Sequence, residues 1–260
     1  MAVTTSNGVR LYYEEAGDGP PLLVISGTGA DLRNRPSPLE WPLASAFHLV
    51  AYDQRGLGQS DQPEQPYTMA EYADDATAIL DAAGLDRAHV LGVSFGGMVA
   101  QELAIRHPAR VDRLVLACTS SGGAGRPSYP LHDLAGLPEE ERAARMMVLS
   151  DSRWSQSWVA ANAERAAKIR ESFRRPPPTP GALRQLEARR HHDTWDRLPE
   201  ISAPTLVCAG RYDGIAPITN SEAIAGRIPG SELRVFEGGH LFLAQDPQAF
   251  SAITDFLGGR

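Results

Sequence analysis

Gly92-Val93-Ser94-Phe95-Gly96-Gly97 decides the fold of this chain. Apolar residues 89–91 precede it and a helical pattern over 98–106 follows. That order reads as strand, sharp turn and helix, with a serine at the tip of the turn: a nucleophile elbow. A serine hydroxyl is a weak nucleophile at neutral pH and needs an exposed position and a base. The turn supplies the exposure, at the cost of an unfavourable backbone conformation at Ser94. Glycine at 92 and 96 removes Cβ atoms that would collide where strand and helix approach. The following helix aims its first N–H groups at the place where an oxyanion would form. The hexapeptide alone is weakly specific, so its flanks and partner residues carry the reading.

An elbow serine is served by an acid and then a histidine further along the chain. Of seven histidines, His240 lies far downstream and outside the middle segment. It follows an apparent strand over 232–236 and the flexible pair Gly238-Gly239, and a helix is expected from about Asp246. His48 and His89 open apolar strands, and His107 closes a helix, where it complements the helix dipole. His132, His191 and His192 fall in the middle segment and read as solvated or structural. Lining a pocket is the sharper alternative for the last two. Asp213 is the acid: residues 204–210 read as a buried strand, and Arg211-Tyr212-Asp213-Gly214 forms the loop at its end. Its task would be to hold the His240 imidazole in the correct tautomer. Residues 117–122, after the strand next to the elbow, contain no carboxylate, which favours Asp213. Residues 22–25 form another apolar strand, ended by Ser26-Gly27-Thr28-Gly29. The N–H groups of Thr28 and Phe95 are the candidate oxyanion donors, with a plain glycine turn as the alternative.

Together these blocks, with the turn Asp53-Gln54-Arg55-Gly56-Leu57-Gly58-Gln59-Ser60, resemble the α/β-hydrolase superfamily over residues 8–257. The resemblance implies an α/β fold: a mostly parallel sheet flanked by helices, and a Ser94–Asp213–His240 triad. Among the serine branches the chain is similar to small bacterial esterases and enol-lactone hydrolases. Cofactor-free haloperoxidase-type esterases and carbon–carbon bond hydrolases are near relatives. Two departures stand out. Ser26-Gly27 replaces the His-Gly of many members, so a different support for the oxyanion loop is expected. Serine at 94 sets the chain apart from the branches with an aspartate nucleophile.

The chain has 260 residues, 42% hydrophobic, enough for one large α/β core. Its net charge of −7 and lack of a basic stripe argue against nucleic acid and anionic membranes as partners. No apolar run approaches membrane-spanning length, and residues 1–10 lack the pattern of a signal peptide. Cys118 and Cys208 read as buried free thiols in a reducing cytoplasm. No metal cluster or cofactor motif is apparent; no cofactor is expected. The oligomeric state, monomer or homodimer, is open.

Strand candidates are residues 9–13, 22–25, 48–52, 88–92, 111–118, 204–209 and 232–236, alternating with helices such as 69–83 and 96–106. The continuous apolar runs suit parallel strands covered on both faces, with a ligand crevice beyond their C-terminal ends. Arg55 reads as a brace for its turn. The alternation stops over 122–199, where helices are expected at 138–149 and 158–173 and the proline run 176–180 must be extended. This segment reads as a helical cap over a core of 1–121 and 200–260. Gly27, Trp154, Trp158 and Trp195 are candidates for the pocket wall. Arg170, Arg174, Arg175, Arg189 and Arg190 form a solvated face or, in the sharper reading, meet a substrate carboxylate. The expected activity is hydrolysis of a small-molecule ester or lactone. Carbon–carbon bond hydrolysis of a diketone-type substrate and receptor-like ligand binding are the alternatives.

Overall fold

The computed structural model describes residues 2–259. Its frame is one eight-stranded sheet: β1 (Ala2–Ser6), β2 (Val9–Ala16), β3 (Pro21–Ile25), β4 (His48–Tyr52), β5 (Ala88–Val93), β6 (Val111–Ala117), β7 (Thr205–Gly210) and β8 (Glu232–Phe236). The spatial order is β1-β2-β4-β3-β5-β6-β7-β8. β1 pairs antiparallel with β2, and β2 with β4; every later pairing is parallel. The helices are α1 (Met69–Ala82), α2 (Phe95–Arg106), α3 (Glu139–Ser150), α4 (Gln156–Ala161), α5 (Ala163–Ser172), α6 (Pro180–Arg190), α7 (Ile218–Ala225), α8 (Phe242–Gln245) and α9 (Gln248–Leu257).

The apolar strands are covered on both faces, and successive side chains alternate between them. Leu23 and Ile25 of β3 join a core with α1, α2 and α7, through Ile79, Val99 and Ile224. Leu22 and Val24 join the opposite core, with Ile253 and Phe256 of α9 and Leu43 and Phe47 from the stretch before β4. No helix among the described residues is long and apolar enough to cross a membrane.

Three local features depart from the sequence expectations. β1 was not anticipated, because Ala2–Ser6 carries little apolar signal; it is held by backbone pairing to β2 across a turn with positive φ at Asn7 and Gly8. The single helix expected over 158–173 is two, α4 and α5, broken at Asn162, whose side chain donates to the Trp158 carbonyl. The helix expected from about Asp246 follows the short α8, and Pro247, which has no N–H to donate, marks the break.

Between β6 and β7 the chain leaves the sheet for α3 to α6. An antiparallel bridge between Gly122 and Asp193 ties the start of this insertion to its end. The insertion touches the sheet's C-terminal edge at several points, and these position the site.

Candidate active site

Ser94 caps α2 with φ 55° and ψ −115°, a conformation side-chain-bearing residues rarely adopt. Such a backbone costs about 1–3 kcal/mol and persists only where its surroundings impose it. Here the Ser94 N–H donates to the Ala117 carbonyl at 2.8 Å. The Ser94 carbonyl accepts from Gly97 N–H, Met98 N–H and, at 2.7 Å, the Thr119 hydroxyl. Helix and strand meet so closely that a Cβ on Gly96 would lie 1.9 Å from the Ile25 carbonyl oxygen.

The structure brings the three sequence-predicted partners together. His240 Nε2 lies 2.9 Å from Ser94 Oγ, and its Nδ1 lies 2.7 Å from Asp213 Oδ2. The Asp213 carboxylate can only accept, so Nδ1 carries the proton and Nε2 is left to accept from the serine hydroxyl. Asp213 is fixed by two further bonds to Oδ1, from Ile215 N–H at 2.7 Å and Ala216 N–H at 2.9 Å. The end of α3 holds both loops. The Ser150 carbonyl accepts from His240 N–H and the Leu149 carbonyl from Gly214 N–H. Beneath them, burial pushes the Cys118 thiol well up from its usual range, as does the nearby Asp213 charge.

Gly27 abuts the nucleophile: a Cβ there would come within 3.4 Å of Ser94 Cβ. Among the described residues no acceptor takes the Thr28 or Phe95 N–H, so both donors are free for an oxyanion. The support expected to differ at Ser26-Gly27 is a set of distant side chains. Gln54 Nε2 donates to the Ser26 carbonyl at 2.7 Å. Asp53 Oδ1 accepts from Leu32 N–H at 2.8 Å. Gln185 of α6, fully buried, accepts from Gly29 N–H at 2.9 Å. Gln185 and Ser150 are not legible in the sequence, because partners far apart in the chain, 156 residues for Gln185 and Gly29, leave no periodic or motif signal. Replacing Gln185 by Leu keeps its bulk but strands the Gly29 donor. We expect kcat to fall about tenfold with KM little changed, since the loss falls on oxyanion placement. Steady-state kinetics beside a melting curve check this.

The three tryptophans named as pocket candidates make ring and core contacts. Trp154 packs edge-on against Phe173, Arg165 covers Trp158, and Trp195 packs on the main core under Arg227. Arg55 is the brace expected, clamped on Asp75 and Glu71. His107 is held by Asp74 at 2.8 Å.

A serine raised on a strained turn at the C-terminal edge of a parallel sheet, in line with an oriented imidazole, is the layout of a hydrolase with an α/β fold. The sequence model of the alpha/beta hydrolase fold family matches residues 20–247, and the chain belongs to that family. A protein of Azorhizobium caulinodans, provisionally named carbamate hydrolase RutD, is 32% identical over 247 residues, covering 93% of this chain and 92% of that one. The crystal structure of a hydrolase from Pseudomonas aeruginosa superposes with a TM-score of 0.81 at 31% identity, covering 100% of this chain and 98% of the other. A thermophilic esterase from Thermogutta terrifontis gives 0.77 at 28% identity, with 99% and 96% covered.

Proposed function

We propose that the protein cleaves a carboxylic ester or lactone of a small molecule through an acyl-enzyme on Ser94. The observation that carries this is the unbroken chain from Ser94 Oγ through His240 to Asp213. Ser94 Oγ attacks the carbonyl carbon as His240 Nε2 takes its proton, and the carbonyl oxygen becomes an oxyanion facing the Thr28 and Phe95 N–H groups. His240 returns the proton to the leaving oxygen as the C–O bond breaks. Water, deprotonated by the same imidazole, then releases the acid and restores the serine. No step calls for a cofactor. In this reading residues 122–199 form the cap over a core of 1–121 and 200–260, and a cytoplasmic setting suits the free, buried thiols of Cys118 and Cys208.

The name of the Azorhizobium relative favours a second acyl group, a carbamate, attacked by the same residues. Labelling with a fluorophosphonate, mapped by peptide mass spectrometry, tests the shared mechanism. Rapid modification of Ser94 is expected in the wild type and much slower modification in His240→Ala. Equal labelling of the two, or none in the folded wild type, would rule the reading out. Turnover of matched ester, lactone and carbamate substrates then ranks the three.

A further inference from the structure

Five arginines of the insertion carry two expectations, a solvated face or a substrate carboxylate, and four lie on the solvated face. Arg170 and Arg174 pair with Glu140, Arg190 pairs with Glu187 at 3.9 Å, and Arg175 donates to backbone carbonyls at the surface. Arg189 does not. It is 6% exposed and makes no ion pair among the described residues. Its guanidinium donates to two neutral acceptors, the Tyr129 carbonyl at 2.9 Å and Ser128 Oγ at 2.6 Å, while its Nε has no acceptor. A buried cation without a counter-charge is unfavourable, and a buried donor left unmet adds to the cost. Burial pulls the guanidinium down to about 10, which still leaves it charged at neutral pH.

Arg189 borders a cavity of about 240 Å³, whose wall also includes Arg190, His132, His192, Ser120 and Ser128 and contains no carboxylate. His192 lies against the Ser120 backbone, yet neither ring nitrogen reaches hydrogen-bonding geometry. Ser120 Oγ and His132 Nδ1 are likewise buried without partners. The volume suits a group of a few heavy atoms and is below what a drug-sized ligand fills. Met98, also on the wall, is one turn along α2 from Ser94, and Ser120 lies just beyond the C-terminal end of β6. The cavity therefore adjoins the crevice end of the sheet.

We propose that Arg189, His192 and Ser120 form a binding site for a small carboxylate. Arg189 supplies the positive charge and its idle Nε–H, with the Ser120 hydroxyl and a His192 ring N–H as further donors. The carboxylate is either a substituent of the substrate or a separate small acid. The binding claim stands without the hydrolase reading, so it is tested in Ser94→Ala protein. Malonate is titrated into full-length Ser94→Ala by calorimetry and followed by NMR of the histidine rings. Saturable binding that moves the His192 signals is expected, weakened about tenfold or more by adding Arg189→Gln. No saturable binding, or affinity unaltered by Arg189→Gln, would overturn the proposal. If Arg189→Gln does not fold, the His192 signals of the parent protein decide: unmoved by malonate, the site does not exist. The source is read from wild-type kinetics on paired esters with a free or methyl-capped terminal carboxylate. A lower KM for the free acid assigns the site to substrate; equal KM with malonate bound assigns it to a separate acid.

Discussion

Ser94→Ala is expected to lower kcat by at least about a thousandfold while the melting temperature holds or rises. In the proposed mechanism the serine hydroxyl supplies the bond-forming electron pair, and without it His240 has no proton to take from Oγ, 2.9 Å away. What remains is binding and the two N–H donors. The fold should not suffer, because the groups that impose the elbow are backbone N–H, backbone C=O and the Thr119 hydroxyl, none of which involves Ser94 Oγ. Steady-state turnover on the best substrate, beside a thermal melt, checks both halves. Retained turnover in pure Ser94→Ala protein would place the chemistry on another group.

Asp75→Ala is expected to be the most damaging single change to stability, at about 3–5 kcal/mol. Asp75 is fully buried and meets Arg55, itself 2% exposed, through Nε at 2.6 Å and a second nitrogen at 2.7 Å. Removing the carboxylate leaves a guanidinium in the interior with Glu71 as its remaining acidic partner at 2.7 Å. For a chain of this length the loss corresponds to roughly 10 °C in melting temperature. Glu71→Ala should cost less, about 1–2 kcal/mol, because the Glu71 side chain is 37% exposed and its bond to Arg55 is solvent-screened, the remainder being the loss of its cap on Thr68 at the start of α1. The double change Arg55→Met with Asp75→Leu should recover much of the stability, since it removes both charges together. If Asp75→Ala and Glu71→Ala melt alike, the buried pair is not what holds the turn. Activity would follow stability here: the turn that Arg55 braces also carries Gln54, which holds Ser26 of the proposed oxyanion loop, and Asp53, which holds Leu32 beyond it.

The split between what was legible and what was not follows the range of the interactions. The elbow, strands β2 to β8 and the helices at 69–82 and 95–106 are local: each is written in an apolar run, a 3.6-residue period or a glycine where a Cβ would collide. Asp213 and His240 were legible for a related reason. Each occupies a loop after a recognisable strand, and parallel strands deliver such loops to one edge of the sheet. β1 was missed because its pairing is made by backbone groups that every sequence possesses. The break at Asn162 was missed because a helical period continues across it.

By itself, then, the sequence determined the α/β layering and which serine, histidine and aspartate share one edge. Hydrophobic periodicity and turn chemistry act over a few residues and survive in one dimension. Tertiary structure alone decided how the loop after β3 is anchored, through Gln54 and Gln185, and which of five arginines is buried without a counter-charge. Those outcomes depend on how the turn after β4 and α6 pack against loops 28 to 156 residues away in sequence. Burial and partnership are properties of that packing, and no run of neighbouring residues encodes them.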